Sequence, residues 1–169
     1  EIGLDYFRNI TPPDKQKHRF RIQLDLASEL GLPVIVHCRD AYEDTINIIS
    51  EWQSSMGVKP NSGVFHSFSG LKNHANTIIE KGFYIGVTGS ITFNKSDNLR
   101  DIVAGLPLTH ILIETDAPFL SPQPNRGKRN EPAFVRWVAD KIAEIKSVTV
   151  NEVASSSTQN AKILFGWNN

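Results

Sequence analysis

Short apolar runs rich in β-branched residues recur along this chain, separated each time by a segment with helical punctuation, and that alternation restricts the fold more than any other feature. "PVIVH", "GVFH", "FYIGV" and "ILIE" are each too short for a helix, and Val34, Ile35 and Val36 form the continuous apolar run of a strand buried on both faces. The opening "EIGLDYF" reads as the end of a further strand. Between these runs the spacing predicts helices over 14–30, with Phe20, Leu24 and Ala27 on one face, over 41–53, with Asp40 as N-cap, and over 73–81, closed by Gly82. Further helices are expected around 99–106, over 131–146 with Pro132 near its start, and over 150–165 ended by Gly166. Five strands alternating with helices imply an α/β fold with a parallel sheet and right-handed crossovers, in one domain over 1–169.

Composition narrows the function classes. Eighteen basic and eighteen acidic side chains cancel, so a polyanion would have to be held by a local cluster. Cys38 is the only cysteine, which excludes an internal disulfide and fits a reducing, cytoplasmic setting. No apolar run approaches the length of a membrane span, so no membrane partner is expected, and no feature points to a protein partner.

All but one of the strands carry a side chain able to bind a metal. Glu1 opens the first, His37 and His66 end the second and third, the fourth ends on nothing chargeable, and Asp116 follows the fifth. The intervals of 36, 29 and 50 residues fit one ligand per βα repeat, the last interval spanning two. Parallel strands bring their C-terminal ends to one face, and in a barrel those ends ring one pocket. A glutamate, two histidines and an aspartate form a mixed N/O set suited to Zn²⁺, Mn²⁺ or Mg²⁺, and to activation of water for hydrolysis. A lone histidine after a strand is more often a hydrogen-bonded structural residue, but two at matching places with two carboxylates favour a site. His18, His74 and His110 read as surface or satisfied residues.

Other chemistries lack support. "GVTGS" has neither a downstream Lys-Ser/Thr pair nor a GxGxxG run, and no GxSxG elbow occurs. Glu43 and Asp44 read as first-turn acids that complement a helix dipole. Arg126, Lys128 and Arg129 lie in the long irregular stretch "DAPFLSPQPNRGKRNE", and Arg39 directly follows "HC", so these arginines are candidates for binding phosphate. The bland reading of "RGKR" is a solvated loop.

Together, "EIGLDYF", "PVIVHCRDA", "FHSFSG" and "ETDAPFLSPQPNRGKRNEP" resemble the ordered signatures of the TatD-related deoxyribonucleases, metal-dependent hydrolases with a TIM-barrel fold, and "NEVASSSTQNAKILFG" extends the resemblance over nearly the whole chain. The resemblance implies a (β/α)8 barrel of which about the last five βα units are present, so that 1–169 is its C-terminal portion. It implies that Glu1 is shared between two metals, that His37, His66 and Asp116 are ligands, and that Asp116 helps activate the attacking water. It further implies Mg²⁺ or Mn²⁺ and DNA cut from the 3′ end, with Arg39, Arg126 and Arg129 at basic positions of those motifs. The family's first strand carries a metal-binding His-x-His pair that this sequence does not contain. Three repeats are therefore expected ahead of Glu1, and an isolated five-stranded sheet is expected to expose apolar edges and to have little activity. Two alternatives remain open: an amidohydrolase-like enzyme acting on a lactone, ester or cyclic amide, and a non-catalytic remnant that binds nucleic acid or protein.

Overall fold

The computed structural model describes residues 1–8, 10–56 and 62–167. Strands β1 (Ile2–Asp5), β2 (Val34–Arg39), β3 (Gly63–His66), β4 (Phe83–Val87) and β5 (Ile111–Ile113) pair in chain order, every neighbour parallel. Helices α1 (Pro13–Leu30), α2 (Tyr42–Met56), α3 (Lys72–Glu80) and α4 (Asp97–Gly105) are the crossovers, and α5 (Val135–Lys146) and α6 (Val150–Phe165) follow β5. The expected α/β architecture is present, and consecutive pairing brings all strand ends to one rim.

Alternation along β2 shows how the sheet divides its faces. Val34, Val36 and Cys38 are buried, while Ile35, His37 and Arg39 are less covered and face the other way. The buried face joins Leu4, Phe65, Phe83, Ile85 and Ile111 to a layer supplied by Phe20, Leu24, Ile49, Ile78, Val103 and Ile142 of the helices. The helical faces read from spacing are therefore the ones that pack. Each such side chain, fully buried, contributes about 1.5–3 kcal/mol of apolar transfer.

One local expectation is corrected and one is extended. The first hydrogen bond of α2 is donated by Thr45 N–H to Ala41 O, so Ala41, not Asp40, precedes the helix; Asp40 instead turns the chain with a φ of 53°. Asp44 does more than face a helix dipole, since its carboxylate accepts from Tyr6 Oη at 2.7 Å and Lys17 Nζ at 2.8 Å, joining α2 to β1 and α1.

The sheet edges are managed unequally. Along β5, Ser157 Oγ accepts from Ile113 N at 3.0 Å and Asn160 Nδ2 donates to Ile111 O at 2.8 Å, so α6 side chains satisfy an edge that a strand would otherwise pair. Leu112, Tyr84 and Val64 pack with Leu164 of the same helix. The expectation of exposed edges is thus wrong at β5. At the β1 side it holds, where Leu26, Leu30 and Leu32 are exposed beside Ile2 and Ile35. No described helix is long and apolar enough to cross a membrane.

Candidate metal-dependent hydrolytic site

The C-terminal rim carries a cleft of about 410 Å³ whose lining includes His37, Arg39, His66, Ser67, Ser90 and Asp116. Glu1 and Asp5 line an adjoining cavity that shares His37 and Arg8 with the cleft. The register explains the convergence, because Gly3 pairs with His37 and His37 with His66 across three adjacent strands, and paired residues project to the same face.

Each histidine lies between two carboxylates. His37 Nδ1 is 3.2 Å from Glu1 Oε1 and its Nε2 is 3.1 Å from Asp5 Oδ2. His66 Nδ1 is 2.8 Å from Glu114 Oε2 and its Nε2 is 3.3 Å from Asp116 Oδ1. The four expected ligands therefore fall into two pairs, Glu1 with His37 and His66 with Asp116. Among the described residues, no group of three or more His, Cys, Asp or Glu side chains is arranged to hold a metal ion, so the ligands would have to be drawn from these pairs.

Glu114 was not singled out from the sequence, and it organises half the site. Its Oε1 accepts from Ser67 N at 2.6 Å while its Oε2 holds His66, so one carboxylate fixes both the ring and the chain that follows it. Ser67 itself has a φ of 47°, a conformation the short Glu114 bond supports. Space for the carboxylate comes from Gly86 on β4, where a Cβ would overlap Glu114 Oε1 and stand 2.9 Å from its Cδ. Glu114 directly follows β5, and its N–H donates to Val87 O at 3.1 Å, so its carboxylate stands beside the end of β4, the strand that carries nothing chargeable. Past its end, Thr88 Oγ1 lies 3.1 Å from Ser90 Oγ and 3.3 Å from Ser67 Oγ, a short run of hydroxyls beside the cleft.

Electrostatics follow from these contacts. The Glu114 hydrogen bond, working against burial, pushes the His66 imidazole up to about 9. Burial alone would raise the Asp5 carboxyl, yet the Arg8 amide and the His37 ring hold it below the usual range. Burial pushes the Cys38 thiol up to about 11, and its Sγ lies 3.3 Å from Thr45 Oγ1, so it is no nucleophile. A raised His66 pKa means that its pairing stabilises the fold fully below about pH 6.5 and that this contribution is lost as pH rises through about 9. In chelator, the unfolding free energy is expected to fall by up to about 3 kcal/mol across that window. Denaturant titrations at both ends check this, and Glu114→Gln should flatten the dependence.

The donor set fits a divalent ion. With Glu114 anchoring Nδ1, His66 is oriented to offer Nε2, the arrangement by which a carboxylate fixes the tautomer of a metal-binding histidine. A separation of 3.3 Å between Nε2 and Asp116 Oδ1 matches adjacent ligand atoms around an ion with bonds of about 2.0–2.2 Å.

The arginines separate. Arg39 lines the cleft and its guanidinium lies 3.7 Å above the Phe7 ring. Arg126 stacks 4.0 Å above Phe93, and Arg129 is exposed on the loop after β5; neither is among the residues lining the cleft. Arg8, which sequence reasoning passed over, lines both cavities. His74 stacks on Tyr42 and pairs with Glu43 at 3.2 Å, His18 is exposed, and His110 lies beside Tyr84, so all three are the surface or satisfied residues expected.

A family model described as TatD related DNase matches residues 1–166. The chain is 44% identical over 168 residues to a Bacillus subtilis protein named uncharacterized metal-dependent hydrolase YabD, covering 99% of this chain and 64% of that one. It is 37% identical over 171 residues to the Erwinia amylovora 3′-5′ ssDNA/RNA exonuclease TatD, covering 98% and 64%. The chain thus spans a little under two thirds of the length of these relatives. The crystal structure of YJJV, a TATD homolog from Escherichia coli, superposes with a TM-score of 0.90 at 32% identity, covering 98% of this chain and 62% of that one.

Proposed function

This chain belongs to the TatD-related DNase family, and on that premise we propose that its cleft hydrolyses phosphodiester bonds of single-stranded DNA from the 3′ end. The observation that carries this reading is the ordered chain Glu114, His66, Asp116, which opens into a cleft that Arg39 also lines. Glu1, His37, His66 and Asp116 would hold two divalent ions, Mg²⁺ or Mn²⁺. When bound, such ions supply Lewis acidity and lower the pKa of water.

The chain's own residues supply the rest. Glu1 and Asp116 provide the negative charge that holds cations at the rim, and Asp116 takes up the proton of the attacking water. Glu114 keeps the His66 ring in place throughout. Arg39 offers a guanidinium to the phosphate, with Arg126 and Arg129 farther along the strand's path. The five parallel units are best read as an arc of a (β/α)8 barrel, the last five of eight, supported by the TatD-family structural likeness. A single buried free thiol fits work in the cytoplasm.

The full-length protein incubated with 5′-labelled single-stranded DNA and Mn²⁺ is expected to yield a ladder shortened from the 3′ end and abolished by EDTA. Internal cuts, or turnover of a lactone or cyclic amide in preference to DNA, would overturn the reading. Glu114→Gln retains the shape but leaves a single acceptor oxygen for both Ser67 N and His66. Its Mn²⁺ affinity, measured by calorimetry, is expected to fall about 10- to 100-fold.

A further inference from the structure

Phe119 presents a large apolar ring at the mouth of the cleft, 64% exposed, in a segment whose backbone is held on both sides. Its N–H donates to Asp116 O at 2.6 Å and its carbonyl accepts from Asn130 Nδ2 at 2.6 Å. Asn130 is itself only 2% exposed, and its N–H donates to Pro118 O at 3.1 Å. The next residue, Leu120, has a φ of 52°, and its carbonyl presses so closely on Gly89 that a Cβ there would overlap it. A backbone clamped on both sides, with a left-handed leucine, fixes the point from which an exposed aromatic ring projects, three residues along the chain from Asp116.

An apolar ring kept in water beside a polar cleft needs a flat apolar partner that arrives with the substrate. Arg8 and Arg39 supply positive charge for a phosphate in the same cleft, so the partner has a planar face on one side and an anion on the other. A nucleotide combines the two. We propose that Phe119 is a stacking platform for the nucleobase flanking the scissile phosphodiester. The proposal rests on the single-stranded nucleic acid reading of the cleft. Stacking on a π-face is tolerant of sequence, so this platform favours unpaired strands without selecting among bases.

The test compares a short labelled oligothymidylate with an abasic strand of equal length, binding each by fluorescence anisotropy in EDTA. Wild type is expected to bind the base-bearing strand about 5- to 100-fold more tightly than the abasic one. Phe119→Ala should erase that difference without lowering Tm, because the ring is exposed, and Phe119→Trp should keep it with quenching of the new indole. The proposal is overturned if wild type shows no preference for bases, if Phe119→Ala binds the base-bearing strand as wild type does, or if both strands weaken equally. Base-dependent binding lost in Phe119→Ala, without cleavage in Mn²⁺, would refute hydrolysis and uphold stacking. Cleavage in Mn²⁺ that is indifferent to Phe119 would do the reverse.

Discussion

Asp116→Asn is expected to reduce metal-dependent DNA hydrolysis by about 10³-fold or more while leaving the protein folded. The substitution is nearly isosteric, and the bond that Phe119 N makes to the backbone carbonyl of residue 116 does not involve the side chain. What it removes is an anionic oxygen 3.3 Å from His66 Nε2, and with it the metal ligand and the acceptor for the water proton that we propose at this position. Loss of several kcal/mol of charge stabilisation in a partly enclosed site gives a rate effect of that size. Glu1→Gln should act in the same direction. Unchanged turnover in both variants, with Tm also unchanged, would refute the assigned chemistry.

The largest stability effect is expected at Gly3, which sits between Glu1 and Asp5 and pairs with His37 across the sheet. Its φ is 143°, outside what side-chain-bearing residues readily adopt, and a Cβ there would overlap His37 O while standing 2.9 and 3.0 Å from His37 C and N. These neighbours are backbone, so no rotamer change relieves the overlap, and β1 would have to move away from β2. Strain and overpacking together make Gly3→Ala destabilising by about 3 kcal/mol, a Tm loss of about 6–12 °C for a domain of this size. Glu1 and Asp5 would be carried away from His37, so metal affinity should drop as well. Gly105→Ala is the control: nothing lies within 4 Å of its added methyl, and Tm should hold or rise slightly. A Tm change at Gly3 as small as at Gly105 would contradict the packing described for β1.

The strands and helices were legible because each buries one face, and burial writes its period into the residue order. Val34 to Val36 were legible as a strand, although the burial on both faces expected of them fails at Ile35, which is exposed, and the pair Phe20 and Leu24 needed no tertiary information. His37, His66 and Asp116 were legible as ligand candidates because parallel strands send their ends to one rim. Glu114 was not, since it stands two residues before an aspartate that already accounts for the strand end. Its role depends on Gly86, a residue on another strand whose missing side chain makes the room. Asp5 was passed over for a related reason: only pairing of β1 with β2 shows that it faces His37 Nε2. The positions of the arginines in the loop after β5 were not legible, because whether Arg126 reaches the cleft or stacks on Phe93 depends on loop packing that no periodicity encodes. Asp40 failed as a cap because the chain turns through a left-handed residue before α2 begins.

The most direct test is anomalous scattering from crystals of the protein grown or soaked in Mn²⁺. The account predicts a peak in the cleft within bonding distance of His66 Nε2 and the Asp116 carboxylate, with His66 Nδ1 still held by Glu114. A cleft without a peak, and His66 hydrogen-bonded to both Glu114 and Asp116 in those crystals, would contradict it.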